Sequence, residues 1–147
     1  MLKFHPLKAE ELRELQWQSQ PLAAYLPAYF DPAEALKRED LLLTVFDGSR
    51  PVGMLVMRKE PTNGRPNCAV IETAVLLPEY RRHGLGRMLT ALAAGAAAER
   101  GIWFLAAQVL DTPEAKGFAS AMHFRQTEWY PDYLLLDLSD VEGMRHG

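Results

Sequence analysis

The chain has 147 residues, 16 of them basic and 19 acidic, for a net charge of −3; 48% are hydrophobic and 24% charged. That is chain enough for one domain with a core of its own, and the acidic balance argues against a protein that tracks a nucleic-acid backbone. The single cysteine, Cys68, excludes an intrachain disulfide, and no Cys/His cluster has the spacing of zinc ligands, so no metal is expected.

In chain order, residues 2–6 predict a short strand and residues 8–18 a helix rich in Ala, Glu, Leu and Arg. Residues 20–32 mix three prolines with Tyr25, Tyr29 and Phe30 and predict a broken helical or loop region. Residues 33–38 allow one or two helical turns. Residues 41–46 and 52–59 predict the arms of a hairpin turning at Asp47-Gly48-Ser49-Arg50. A polar loop at 61–67 precedes a strand at 68–77, which Pro78 ends. Within that strand, alternation puts Ala69, Ile71, Thr73, Val75 and Leu77 on one side and Val70, Glu72, Ala74 and Leu76 on the other, so Glu72 is a charge inside an apolar strand.

Leu85, Met88, Leu89, Leu92, Ala93 and Ala96 recur at helical spacing and predict one buried face of a long helix that Gly101 stops. A strand at 102–109 follows, parallel to the strand at 68–77. Thr112 is a candidate N-cap with Pro113 at the first helical position. Residues 124–129 and 133–138 predict an antiparallel pair joined at Tyr130-Pro131-Asp132. Residues 1–138 are expected to form one domain and residues 139–147 a frayed tail. The first residues hold no apolar stretch of signal-peptide length. The most apolar long segment, 85–98, is too short for a bilayer and is interrupted by Arg87, Thr90 and Gly95. A soluble cytoplasmic protein without a membrane partner is therefore expected.

The segment that carries chemistry runs from Glu72 to Leu89: a strand, a short loop with two glycines, and the start of a long helix. First-turn N–H groups lack intrahelical partners and the helix dipole adds positive potential there. Gly84 and Gly86 admit a ligand close to the backbone, and Arg81, Arg82, His83 and Arg87 add charge, so the loop suits a pyrophosphate. No Gly-Lys-Ser/Thr makes a nucleotide P-loop, and the third glycine of a dinucleotide fingerprint would fall at Leu89.

Arg81-x-x-Gly84-x-Gly86, placed after Val75-Leu76-Leu77-Pro78-Glu79-Tyr80, resembles the central motif of the GNAT acyltransferase family, and the order of elements over residues 2–138 resembles it too. The resemblance implies an α/β protein with a mixed, twisted central sheet of about six or seven strands and about four helices. It implies acetyl-CoA as co-substrate, with the backbone of Ala74, Val75 and Leu76 along the pantetheine arm. The pyrophosphate would lie on Arg81, Arg82, His83, Gly84, Leu85, Gly86 and Arg87, with Thr112 nearby. The strands around Leu76 and Ala107 would splay apart. Tyr25, Tyr29 and Phe30 would wall the acceptor site.

The sequence departs from the family where a tyrosine acid is usual: that position is Ala119, and His123 stands where glycine precedes Phe124. A glutamate used by the branch that acetylates ribosomal-protein N-termini is replaced by Ala107. Glu72 is the candidate base, with pairing to Arg58 or Lys59 as the alternative; Tyr133 is the candidate acid. The expected activity is acetyl transfer to a primary amine of a small-molecule or peptide acceptor by direct attack, the alternative being a non-catalytic acyl-CoA-binding module. A nucleic-acid partner is not expected, and an exposed edge on the closing hairpin could support a homodimer.

Overall fold

The computed structural model describes residues 1–59, 67–108, 113–127 and 133–138. Seven strands and four helices follow in the order β1 (Leu2–Pro6), α1 (Ala9–Leu15), α2 (Pro32–Lys37), β2 (Leu41–Asp47), β3 (Arg50–Lys59), β4 (Cys68–Leu76), α3 (Leu85–Glu99), β5 (Phe104–Ala107), α4 (Pro113–Ala121), β6 (Arg125–Gln126) and β7 (Leu134–Asp137). The strand order is β1-β2-β3-β4-β5-β7-β6. β4 and β5 are parallel, as two strands joined through a helix must be, and the other described ladders are antiparallel. The chain divides into two compact units, one of Met1–Arg58 with Thr73–Thr90, the other of Lys59–Glu72 with Ala91–Gly147, so β4 and α3 each pass from one to the other.

In the first unit, β2 is buried along nearly its whole length and pairs with β1 and β3. The turn closes at Asp47↔Arg50, so the hairpin arms reach further than the predicted 41–46 and 52–59. The helix predicted over 8–18 stops at Leu15. Gln16 turns left-handed at φ 49°, Gln20 Nε2 donates to the Leu15 carbonyl at 2.7 Å, and Trp17 drops into the core at 8% exposure. Burying an indole outweighs three more residues of helix. Residues 17–19 and 21–25 are short 3₁₀ turns, in keeping with the broken region expected there.

In the second unit, Cys68, Val70, Ala106 and Leu135 form a buried cluster against which Phe104 and Tyr133 pack. Cys68 is thus the small core residue its apolar neighbours suggest. β5 is shorter than the predicted 102–109, and β6 and β7 are shorter than their predicted spans. The turn at Tyr130-Pro131-Asp132, Thr112 and the 139–147 tail lie outside the described residues.

α3 buries Leu85, Leu89, Thr90, Ala93, Ala94 and Ala97, while Met88 and Leu92 stay 48% and 45% exposed. The predicted face is therefore rotated towards the small residues, which let the helix approach its neighbours closely. Each fully buried leucine there contributes about 1.5–3 kcal/mol. The helix ends as expected: Gly101 lies at φ 77°, with Gly101 N–H on the Ala98 carbonyl and Ile102 N–H on that of Ala97.

Candidate functional site

β4 runs into the loop through a turn. Leu77 N–H donates to the Val52 carbonyl at 2.9 Å, Tyr80 N–H to Leu77, and Arg81 N–H to Pro78. Gly53 makes the strand's seat possible. A Cβ there would stand 2.5 Å from Leu76 Cδ2 and 3.3 Å from the Val75 carbonyl oxygen, so a side chain would push the end of β4 aside. Gly53 escaped the sequence reading. A lone glycine within an apolar strand was its only signal.

Arg81 is not a freely solvated cation. Its Nε donates to the Leu76 carbonyl at 3.1 Å and its guanidinium lies 5.7 Å from the centre of the Tyr25 ring. The residue that opens the motif thus ties the loop back onto β4 and onto Tyr25. Tyr29 is 77% exposed and Phe30 half-buried. Of the aromatic residues expected at the acceptor wall, Tyr25 is the one brought to the loop.

Beyond Arg81 the backbone alternates. Arg82 has φ 67° and Gly84 φ 77°. A left-handed residue without glycine costs about 1–3 kcal/mol, so Arg82 holds that shape because its surroundings impose it. At Gly84 a Cβ would meet nothing within 4 Å, so glycine is required there by conformation and not by space. Such alternation turns successive N–H groups into one concavity. The first intrahelical bond of α3 runs from the Met88 N–H to the Gly84 carbonyl at 3.1 Å, so the N–H groups just before it stand at the open end of the helix. The first turn of α3 contains no acidic residue, and Arg87 stands in it. A basic residue at a helix start works against the dipole, and a bound anion would reverse that penalty.

The turn before the loop is anchored to the β2–β3 hairpin. Tyr80 Oη donates to Asp47, Arg50 pairs with Glu79 at 2.9 Å, and the Arg50 guanidinium lies 5.9 Å from the Tyr80 ring centre. The Asp47 carboxylate holds the Tyr80 phenol above its usual pKa, because ionising it would lose the hydrogen bond and set two negative charges together.

In the second unit, the β4–β5 ladder ends at Ile71↔Ala107, and Ala107 in turn pairs with Leu134 of β7. The next row holds Glu72 and Tyr133, with Gln108 between them where β5 has ended. Alternation puts Glu72 on the face of Val70, the face on which Tyr133 packs. Two strand spacings separate their backbones by about 10 Å, and Oε2 of Glu72 is buried. β4 itself runs on to Leu76, past the last β4–β5 pair at Ile71↔Ala107.

Ala119 is buried at 3% exposure and offers no proton donor. His123 has φ 69°, its N–H bonds the Ser120 carbonyl, and Phe124 N–H bonds that of Ala119. This left-handed helix cap is where glycine is most at ease, so His123 closes α4. Among the described residues, no group of three or more His, Cys, Asp or Glu could hold a metal ion, and no helix is long and apolar enough to cross a membrane.

A mixed sheet whose central strand turns through an open, basic, two-glycine loop into a helix defines the acyl-CoA N-acyltransferase fold. The model of the Acetyltransferase (GNAT) family matches residues 9–124, and the chain belongs to that family. No curated protein matches it in sequence. Among solved structures it is similar to a mutant AtaT toxin bound to the C-terminus of the antitoxin AtaR and acetyl-CoA: TM-score 0.73, 14% identity, covering 100% of this chain and 99% of that one. A GNAT family acetyltransferase from Brucella melitensis in complex with acetyl-CoA matches with TM-score 0.66 and 14% identity, over 93% of this chain and 88% of that one. The KacTA–DNA complex matches with TM-score 0.66 and 15% identity, over 99% of both chains.

Proposed function

We propose that the protein transfers an acetyl group from acetyl-CoA to a primary amine by direct attack. The observation that carries this reading is the loop at residues 82 to 87, with its left-handed Arg82 and Gly84, a first intrahelical bond that comes only at Met88, and an acid-free helix start. Such a surface holds a pyrophosphate through charge-assisted hydrogen bonds. The complexes of the similar structures with acetyl-CoA support the same ligand. Acetyl-CoA supplies the activated thioester; Ala74, Val75 and Leu76 supply backbone along which its arm would extend.

Three proton transfers complete the reaction. An alkylammonium with a pKa of about 10 must lose a proton before its nitrogen can attack. Glu72 takes that proton, directly or through one water. As the C–N bond forms and the C–S bond breaks, the departing thiolate takes a proton from Tyr133, and the second proton of the attacking nitrogen passes to the Tyr133 phenolate, which leaves the neutral amide, CoA thiol and a proton on Glu72 that goes to solvent. Their shared face and their common row, with Gln108 between them, support this pair of roles. The buried Ala119, which brings no acid, favours a second reading, an acyl-CoA-binding module without turnover.

Release of CoA thiol, followed in the presence of a panel of primary amines, separates the two. Glu72→Gln is expected to lower kcat about 100-fold or more at pH 7 with acetyl-CoA affinity unchanged, and Tyr133→Phe to lower it less. Turnover in Glu72→Gln equal to the parent would remove Glu72 from the mechanism. Absence of turnover in the parent with every amine, despite acetyl-CoA binding, would favour the module.

A further inference from the structure

The left-handed Arg82 lies two residues after Tyr80, and that conformation persists only where neighbouring contacts impose it. Arg81 ties the loop to β4 and Tyr25 from one side. From the other side, three contacts converge on residues 79 and 80: the Tyr80–Asp47 hydrogen bond, the Arg50–Glu79 pair and the Arg50 guanidinium against the Tyr80 ring. Asp47 and Arg50 face each other across the closing turn of the β2–β3 hairpin, so one rigid hairpin end holds both. Arg50 and Glu79 are 46% and 58% exposed, and as an isolated surface pair they would contribute little. Arg50 touches both Glu79 and Tyr80, which makes the contacts one network rather than separate pairs.

We propose that Asp47, Arg50, Glu79 and Tyr80 are positioning residues for the phosphate loop, pre-forming its N–H concavity before acyl-CoA arrives. The proposal rests on the acyl-CoA reading of the loop. None of the four side chains touches the reacting atoms; they act by fixing the path of the backbone into Arg81 and Arg82. Loss of the network lets the loop sample other shapes, and acyl-CoA must then select the competent one from a smaller population.

The test is isothermal titration with acetyl-CoA of the parent, Tyr80→Phe, Asp47→Asn and the double variant, each checked by a circular-dichroism melt. Each single change is expected to weaken affinity about fivefold to tenfold, the scale of one ordinary hydrogen bond. The double variant should be no weaker than the worse single, since both act on the same bond, Tyr80→Phe by removing its donor and Asp47→Asn by removing the charge on its acceptor. Arg50→Glu should weaken binding, and Arg50→Glu with Glu79→Arg should recover part of it, a rescue that general destabilisation would not produce. Should Tyr80→Phe fail to fold, Asp47→Asn and the exchanged pair decide. A parent that binds acetyl-CoA, with variants that bind equally well or lose affinity additively, overturns the proposal and leaves the acyl-CoA reading standing. A folded parent that does not bind overturns both.

Discussion

At the start of α2, Asp31 accepts hydrogen bonds from the N–H groups of Ala33 and Glu34, at 3.0 and 3.5 Å, and Glu34 adds an acid to the first turn. α1 closes itself in a similar way, with Glu11 accepting from Lys8 N–H at 3.1 Å. At the start of α3 there is no acid in the first turn, and the first intrahelical bond comes only at the Met88 N–H. The same chain thus caps two helices with its own carboxylates and leaves a third open behind Arg81, Arg82 and His83. A helix start that departs from the rules its neighbours obey is under a demand other than stability.

The contrast can be broken most severely at Gly84. Gly84→Glu puts a side chain on a left-handed residue and a carboxylate into the concavity, and acetyl-CoA affinity should fall by about two orders of magnitude or more in a titration. Arg87→Glu gives α3 the acid that α2 already has. Two opposite signs are expected: affinity about tenfold weaker or more, and a helix more stable by about 0.3–1 kcal/mol, seen as a higher melting temperature. Asp31→Ala is the control from the other helix. It should cost about 0.5–2 kcal/mol of stability in urea titration and leave acetyl-CoA affinity unaltered.

The smallest effect concerns α1 and pH. Burial alone would raise the pKa of Glu11, but the hydrogen bond from His5 at 2.8 Å, the Lys8 N–H and the nearby charges outweigh it and lower it. With the folded value below the unfolded one, this contribution is complete above the unfolded value and is lost as pH falls through the folded value. The urea midpoint of the parent should therefore exceed that of Glu11→Gln at pH 7, and the gap should close in acid.

The family motif was legible because it is local: two glycines, three arginines and a strand–helix junction lie within a few consecutive residues, and the family model matches residues 9–124. The β2–β3 hairpin, the closing antiparallel pair and the parallel β4–β5 pair followed from turn residues and from a connecting helix, while the order of the whole sheet did not. The contacts that hold the loop in place were not legible. Asp47 and Tyr80 are 33 residues apart, and Arg50 and Glu79 are 29 apart. Nothing in their spacing brings a hairpin turn to the edge of the loop. Gly53 was missed for the same reason, since its demand comes from Leu76 on another strand. The early stop of α1 at Leu15 reflects the burial of Trp17, a tertiary effect that helix propensity does not carry. The shared row of Glu72 and Tyr133 needed the two registers through Ala107 before it could be seen.

The most direct test of the loop's role is isothermal titration of the folded parent protein with acetyl-CoA. One-to-one binding with a dissociation constant of about micromolar order is expected, with coenzyme A competing for the same site. A folded protein that binds neither would contradict the assignment of residues 82 to 87 as an acyl-CoA phosphate site.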